Sequence, residues 1–139
     1  MVKLLIGNKG TGKTKRLIDI CNNAAAESKG NVVFIEKEGI LIHDVDRKAR
    51  LVVVDEYNVE GFEQFYGFIS GMCASDYDLT DIVVDSTLKI CGKDFGELET
   101  FVNKLDDLTK TANANIVLSI SADLSEIPES MKSKVEQHK

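Results

Sequence analysis

The chain has 139 residues, 43% of them apolar and 29% charged, which is enough for one domain with a single core but not for two. Its 17 basic and 23 acidic side chains leave a net charge of −6, so no strong nucleic-acid signal is present. Cys21, Cys73 and Cys91 are widely spaced, odd in number and free of any C-x-x-C pattern. They read as reduced, buried thiols of a cytoplasmic protein rather than a disulfide framework. His43 and His138 are too few and too far apart to make a metal site with them. Charged Lys3 comes too early for a signal peptide, and no apolar run is long enough for a membrane span.

In chain order, Val2 to Ile6 is an apolar run that reads as a buried strand. Gly7-Asn8-Lys9-Gly10-Thr11-Gly12-Lys13-Thr14 follows, and a helical pattern begins at Lys13. On that helix Leu17, Ile18, Cys21, Ala24 and Ala25 fall at helical spacing, and Gly30 is a suitable stop. Asn31 to Ile35 predicts a second strand, ending in Glu36-Lys37-Glu38-Gly39. Ile40-Leu41-Ile42 reads as a short extra strand, followed by a charged stretch from His43 to Arg50. Leu51 to Val54 predicts a third strand, ending in Asp55-Glu56.

Asn58 is placed to cap the next helix, where Phe62, Phe65, Tyr66, Ile69, Met72 and Cys73 form a core face. Gly67 and Gly71 on that helix each cost about 1 kcal/mol relative to Ala, so a close approach to a neighbouring strand or partner is expected there, with flexibility as the alternative. Ile82-Val83-Val84 predicts a fourth strand, ending in Asp85-Ser86. Asp94, with Glu97 three residues on, opens a long helix whose apolar face runs from Leu98 through Phe101, Val102, Leu105 and Leu108 to Ala112. Ile116 to Ile120 predicts a fifth strand. Pro128 suits the first turn of a terminal helix with a stripe of Ile127, Met131 and Val135.

Strands alternating with amphipathic helices predict an α/β fold: one domain over residues 1–139, three αβα layers, and a five-stranded, mostly parallel sheet. Ligands of such sheets bind outside the carboxyl ends of the strands. The loop at Gly7, the acids at 36, 38, 55, 56 and 85, and Ser119 and Ser121 all fall on that rim.

Residues 7–14 fit G-x-x-x-x-G-K-[ST] at every fixed position, in the strand–loop–helix context that the motif requires. Its glycines let successive N–H groups turn inward as an anion nest, and the helix that follows adds its free N–H groups and positive dipole end. Lys13 can reach β- and γ-phosphate oxygens, and the Thr14 hydroxyl can ligate Mg²⁺. Residues 2–28 thus resemble the first strand, loop and helix of the P-loop NTPases. That resemblance implies ATP and Mg²⁺ as ligands. Gly7, Asn8, Lys9, Gly10, Thr11, Gly12, Lys13 and Thr14 would hold the phosphates, and Thr14 the metal. Lys9 differs from the signature lysine of one subgroup, which directly follows the first glycine, where Asn8 stands here.

A P-loop enzyme needs an Asp at the end of an apolar strand to hold Mg²⁺, and two strands supply one. With Asp55 in that role the chain resembles the AAA-type ATPases. Glu56 would then be the general base, and the strand that carries the loop would be flanked on both sides. With Asp85 the chain resembles the RecA/KaiC-type core, with Glu36 or Glu38 as base. The loop strand would then lie at an edge of the five or pair with a further segment. The second reading accounts for the whole run from 31 to 121. A weaker resemblance, to twitching-motility (pilus retraction) ATPases, rests on the glycine-rich loop alone.

The family resemblance implies a Mg-dependent ATP-binding protein, an ATPase of low intrinsic turnover that works with a protein partner or as a homo-oligomer. Arg47 and Arg50 are candidates to serve a neighbouring subunit, and Lys89 is a candidate lysine finger acting in trans. The alternatives are a non-hydrolysing, nucleotide-dependent switch and a small-molecule kinase. The kinase is disfavoured by the lack of a lid-sized insertion and by only three arginines.

Overall fold

The computed structural model describes residues 1–138. Six strands, β1 (Val2–Gly7), β2 (Asn31–Glu36), β3 (Ala49–Val53), β4 (Leu79–Val84), β5 (Asn115–Ser121) and β6 (Val135–Gln137), make one sheet in the order β3-β2-β4-β5-β1-β6. Every neighbouring pair is parallel. The expected five strands are therefore six, and the sheet is parallel throughout rather than mostly so.

The sixth strand corrects the expected terminal helix. Pro128 precedes a 3₁₀ segment, Glu129–Lys134, and the chain then extends so that Val135, Glu136 and Gln137 pair with Leu4, Leu5 and Ile6. Ile127 and Met131 are buried as expected. However, β1 offers an unpaired edge at the end of the first five strands, and an extended segment satisfies that edge where a helix cannot.

Helices cover both faces. On one side α2 (Gly61–Ser75), the short α3 (Thr87–Cys91) and α4 (Phe95–Ala112) pack on Leu4, Ile6, Ile35, Val84, Leu118 and other residues of the sheet. Phe62 and Phe65 of α2 meet Phe101 of α4 at ring distances of 5.4 and 5.9 Å, within the range of favourable aromatic pairs. Asp94 caps α4 by accepting from the N–H groups of Gly96 and Glu97.

On the opposite face α1 (Lys13–Glu27) lies over Leu5, Phe34 and Val83. It shares that face with residues 37–48, which link β2 to β3 without a helix or the expected extra strand at 40–42. Leu41 and Val45 plug this crossover into the core. Asn22 of α1 ties it down by donating to the Asp44 carbonyl and accepting from the Asp46 N–H.

Two further expectations change. Asn58 does not cap α2; it sits after a 3₁₀ turn, Val54–Tyr57, with φ 56°, and Glu60 precedes the helix. Gly67 and Gly71 face open space, with nothing within 4 Å of an added Cβ, so no close approach explains them within the chain.

Candidate functional site

The glycine-rich loop leaves β1 at Gly7 and enters α1 at Lys13. Gly10 and Gly12 have φ of 89° and 88°, a region that a Cβ makes costly. Gly7 is needed for a different reason: a Cβ there would meet the His138 carbonyl oxygen and the Thr11 hydroxyl. The His138 N–H donates to the Ile6 carbonyl at 2.7 Å, which fixes the end of β6 against the loop. No acidic residue of its own lies in the first turn of α1, so the positive end of this 15-residue helix is not offset from within the helix.

Lys13 is buried, at 7% exposure, and its ammonium donates to the Asn8 carbonyl at 3.1 Å. That carbonyl also accepts from the Thr11 N–H at 3.3 Å, so the loop closes on itself around the lysine. Burial lowers the Lys13 pKa below the ordinary lysine value, and the Asp85 carboxylate opposes this in part. The Thr11 hydroxyl is buried with no hydrogen-bond partner.

The Thr14 hydroxyl, one residue on, donates to Asp85 Oδ1 at 3.2 Å. Asp85 directly follows β4, which is separated from β1 by β5 alone. The loop, Thr14 and Asp85 line one concavity of about 560 Å³. Its remaining wall comes from α3 and its flanks, chiefly Ser86, Lys89 and Lys93, together with Ser119 and Ser121 at the end of β5. Ser86 takes a left-handed conformation, φ 55°, and its N–H donates to the Ser119 hydroxyl at 2.8 Å.

The other strand-end acids lie elsewhere. Asp55 follows β3 at the far edge, four strand steps from β1, or about 19 Å at ordinary strand spacing. It pairs with Lys37, Oδ1 and Oδ2 lying 3.0 and 3.1 Å from Nζ. Glu56 is exposed in the same 3₁₀ turn, and Glu38 is exposed on the crossover. Glu36 is buried, at 2% exposure. Both of its carboxylate oxygens are engaged, accepting from the N–H groups of Ile40 and Leu41 at 2.8 and 3.0 Å. None of Glu36, Glu38, Asp55 and Glu56 lines the concavity.

No arginine lines the concavity either. Arg16 is bonded to Glu136 of β6 at 3.3 Å, Arg47 lies on the crossover, and Arg50 lies at the amino-terminal end of β3.

The sequence reading did not anticipate α3, whose five residues are too few to show a period, or Lys93 beside it. It also passed over Asn103-Lys104-Leu105-Asp106, which has the spelling of the guanine-reading Asn-Lys-x-Asp motif. That string lies inside α4, away from any strand end. Leu105 is core, Lys104 lies over the Tyr66 ring at 4.2 Å, and Asp106 is bonded to Lys134. Asn103 is exposed, and none of the four lines the concavity.

Oxygen donors at Thr14 and Asp85 suit a hard divalent cation. Two adjacent ligands at Mg²⁺–oxygen distances of 2.0–2.1 Å lie about 2.9 Å apart, close to the 3.2 Å observed here. Among the described residues no cluster of three or more His, Cys, Asp or Glu makes an all-protein metal cage, and no helix is long and apolar enough to cross a membrane. No protein-family model matches the chain, and no curated protein matches it either.

Proposed function

We propose that this chain is a Mg-dependent ATP-binding protein of the P-loop NTPase type, with slow phosphoanhydride hydrolysis in isolation. The observation that carries the reading is the hydrogen bond between Thr14 and Asp85 at the head of α1, with buried Lys13 beside it. A phosphate oxygen would take the place of the Asn8 carbonyl as the partner of the Lys13 ammonium. The loop N–H groups and the end of α1 would hold the rest of the phosphate chain. Thr14 and Asp85 would hold Mg²⁺, which when bound neutralises charge on the β- and γ-phosphates. Asp55 is left with Lys37, so the arrangement favours the RecA/KaiC-type reading over the AAA-type one. The place of β1 at the edge of the first five strands supports the same choice.

Slow turnover follows from what the concavity lacks. Asp85 is its one carboxylate, and a metal-holding carboxylate is poorly placed to activate water. Glu36 stands at the end of the neighbouring strand, but its oxygens are committed to the crossover. Hydrolysis at an appreciable rate would require a protein partner, or a second copy, that draws residues 37–48 aside and frees Glu36. The same observation favours the second reading, a switch that binds nucleotide without turning it over. ATP rather than GTP is proposed because the one guanine-type string lies within α4 and lines no part of the concavity.

Steady-state phosphate release from Mg-ATP, with Lys13→Ala as control, tests the enzyme. Slow release that disappears in the variant is expected. Release that persists in the variant contradicts this site, and no release with retained Lys13-dependent binding moves the account to the switch.

A further inference from the structure

We propose that Lys89 and Lys93 form a cationic clamp, within the same chain, for the terminal phosphate of a nucleoside triphosphate. The inference rests on the nucleotide-binding reading above and adds residues to that site. Four lysines, Lys9, Lys13, Lys89 and Lys93, line the concavity against the single carboxylate of Asp85. This concentrates positive charge in a chain whose net charge is −6. Elsewhere four lysines are paired with acids, Lys3 with Glu136, Lys37 with Asp55, Lys132 with Glu129 and Lys134 with Asp106, and Lys15, Lys29, Lys48, Lys104 and Lys110, unpaired among the described residues, stand apart from the concavity. Lys89 and Lys93 have no ion-pair partner among the described residues, and they stand on the wall that faces the loop.

Their mounting is rigid. In α3, Thr87, Leu88, Ile90 and Cys91 are buried and Lys89 alone is exposed. The start of the helix is tied to β5 by the Ser86 N–H on the Ser119 hydroxyl, and its last turn is closed by the Gly92 N–H on the Leu88 carbonyl at 2.9 Å. Lys93 follows Gly92, whose φ of 110° turns the chain out of the helix. The backbone of both lysines is therefore placed before any ligand arrives, which limits the ordering cost to the side chains.

The terminal phosphate is the group that they would meet. α3 begins two residues after Asp85, on the metal side of the site, where Lys13 and the cation meet the β- and γ-phosphates. The arginines cannot take this role within the chain, since Arg16 is held by Glu136 and Arg47 and Arg50 are remote. Lysine ammonium groups bind phosphate as point charges. Two of them facing the γ-phosphate raise affinity for a triphosphate more than for a diphosphate.

The test is equilibrium binding of Mg-ATP and Mg-ADP to the wild type, to a Lys89→Gln/Lys93→Gln double variant and to a Lys89→Arg/Lys93→Arg variant. Melting curves serve to confirm folding. The expected result is a roughly 10- to 100-fold loss for Mg-ATP in the glutamine variant, with less than about a 3-fold loss for Mg-ADP. The arginine variant should keep the wild-type preference. Equal losses for both nucleotides, or no loss for either, would overturn the clamp while leaving Lys13-dependent binding intact. If the wild type shows no Lys13-dependent binding, the underlying nucleotide reading falls and the clamp falls with it.

Discussion

The ends of β3 and β4 carry nearly the same sequence, an apolar run followed by an aspartate, and the fold puts them to different uses. Asp55 ends at the sheet edge, exposed, and holds the ammonium of Lys37. Asp85 ends two strands from the glycine-rich loop and accepts from Thr14. Each also favours the charged form of a lysine, but the net shifts differ in sign. The hydrogen bond from Lys37 to Asp55 raises the Lys37 pKa, whereas burial outweighs Asp85 at Lys13 and lowers that of Lys13. A strand-end acid gains its role from its neighbours in the sheet and from the water around it, and a local pattern contains neither.

The sharpest way to break this comparison is to exchange each aspartate for asparagine. Asp85→Asn should weaken Mg-ATP by about 2–3 kcal/mol, or roughly 30- to 150-fold, and abolish the gain in affinity that Mg²⁺ brings. Asp55→Asn should leave both unchanged within about 2-fold. Isothermal titration with and without Mg²⁺ reads both variants, and equal losses would erase the distinction.

The next effect is on pH. The folded Lys13 pKa lies below the unfolded value of 10.5. Between the two the unfolded chain binds more protons, so the contribution of Lys13 makes stability rise with pH in that window. Bound phosphate favours the ammonium, so nucleotide binding should take up a proton in the window, and affinity should fall as pH rises through the folded pKa. Titrations in buffers of different ionisation enthalpy would detect the uptake, which Lys13→Met should remove. The thiols act in the opposite sense above about pH 9. Burial pushes Cys21 up to about 11 and Cys91 to about 12, so their contribution to stability falls as pH rises through those values. Lys37, with its raised pKa, should show no such early loss of charge.

Much of the architecture was legible in the sequence because it rests on local pattern. The five longer strands are apolar runs, the glycine-rich loop has its motif, and Asp94 marks the start of α4. What was not legible depends on partners far along the chain. Val135-Glu136-Gln137 has no strand signature and becomes β6 because β1 has an open edge. The choice between Asp55 and Asp85 turns on the insertion of β5 between β4 and β1, which strand order alone decides. Glu36 looked available because its two backbone partners, at Ile40 and Leu41, sit in a stretch that read as a strand.

Smaller effects test the quieter half of the molecule. Gly67→Ala and Gly71→Ala, in open space on α2, should each stabilise the fold by about 0.5–1 kcal/mol, read as a higher denaturant midpoint. Destabilisation by either would mean that this face is covered by something that excludes a methyl group. Lys37→Ala should shift the midpoint least, since its ion pair is solvent-screened.

The most direct measurement is a calorimetric titration of Mg-ATP into the wild type and into Lys13→Ala. The account predicts saturable binding of one equivalent to the wild type and a roughly 30- to 150-fold loss in the variant, with the variant's melting curve showing that it is folded. Equal affinity in the two proteins, or no binding to the wild type, would contradict it.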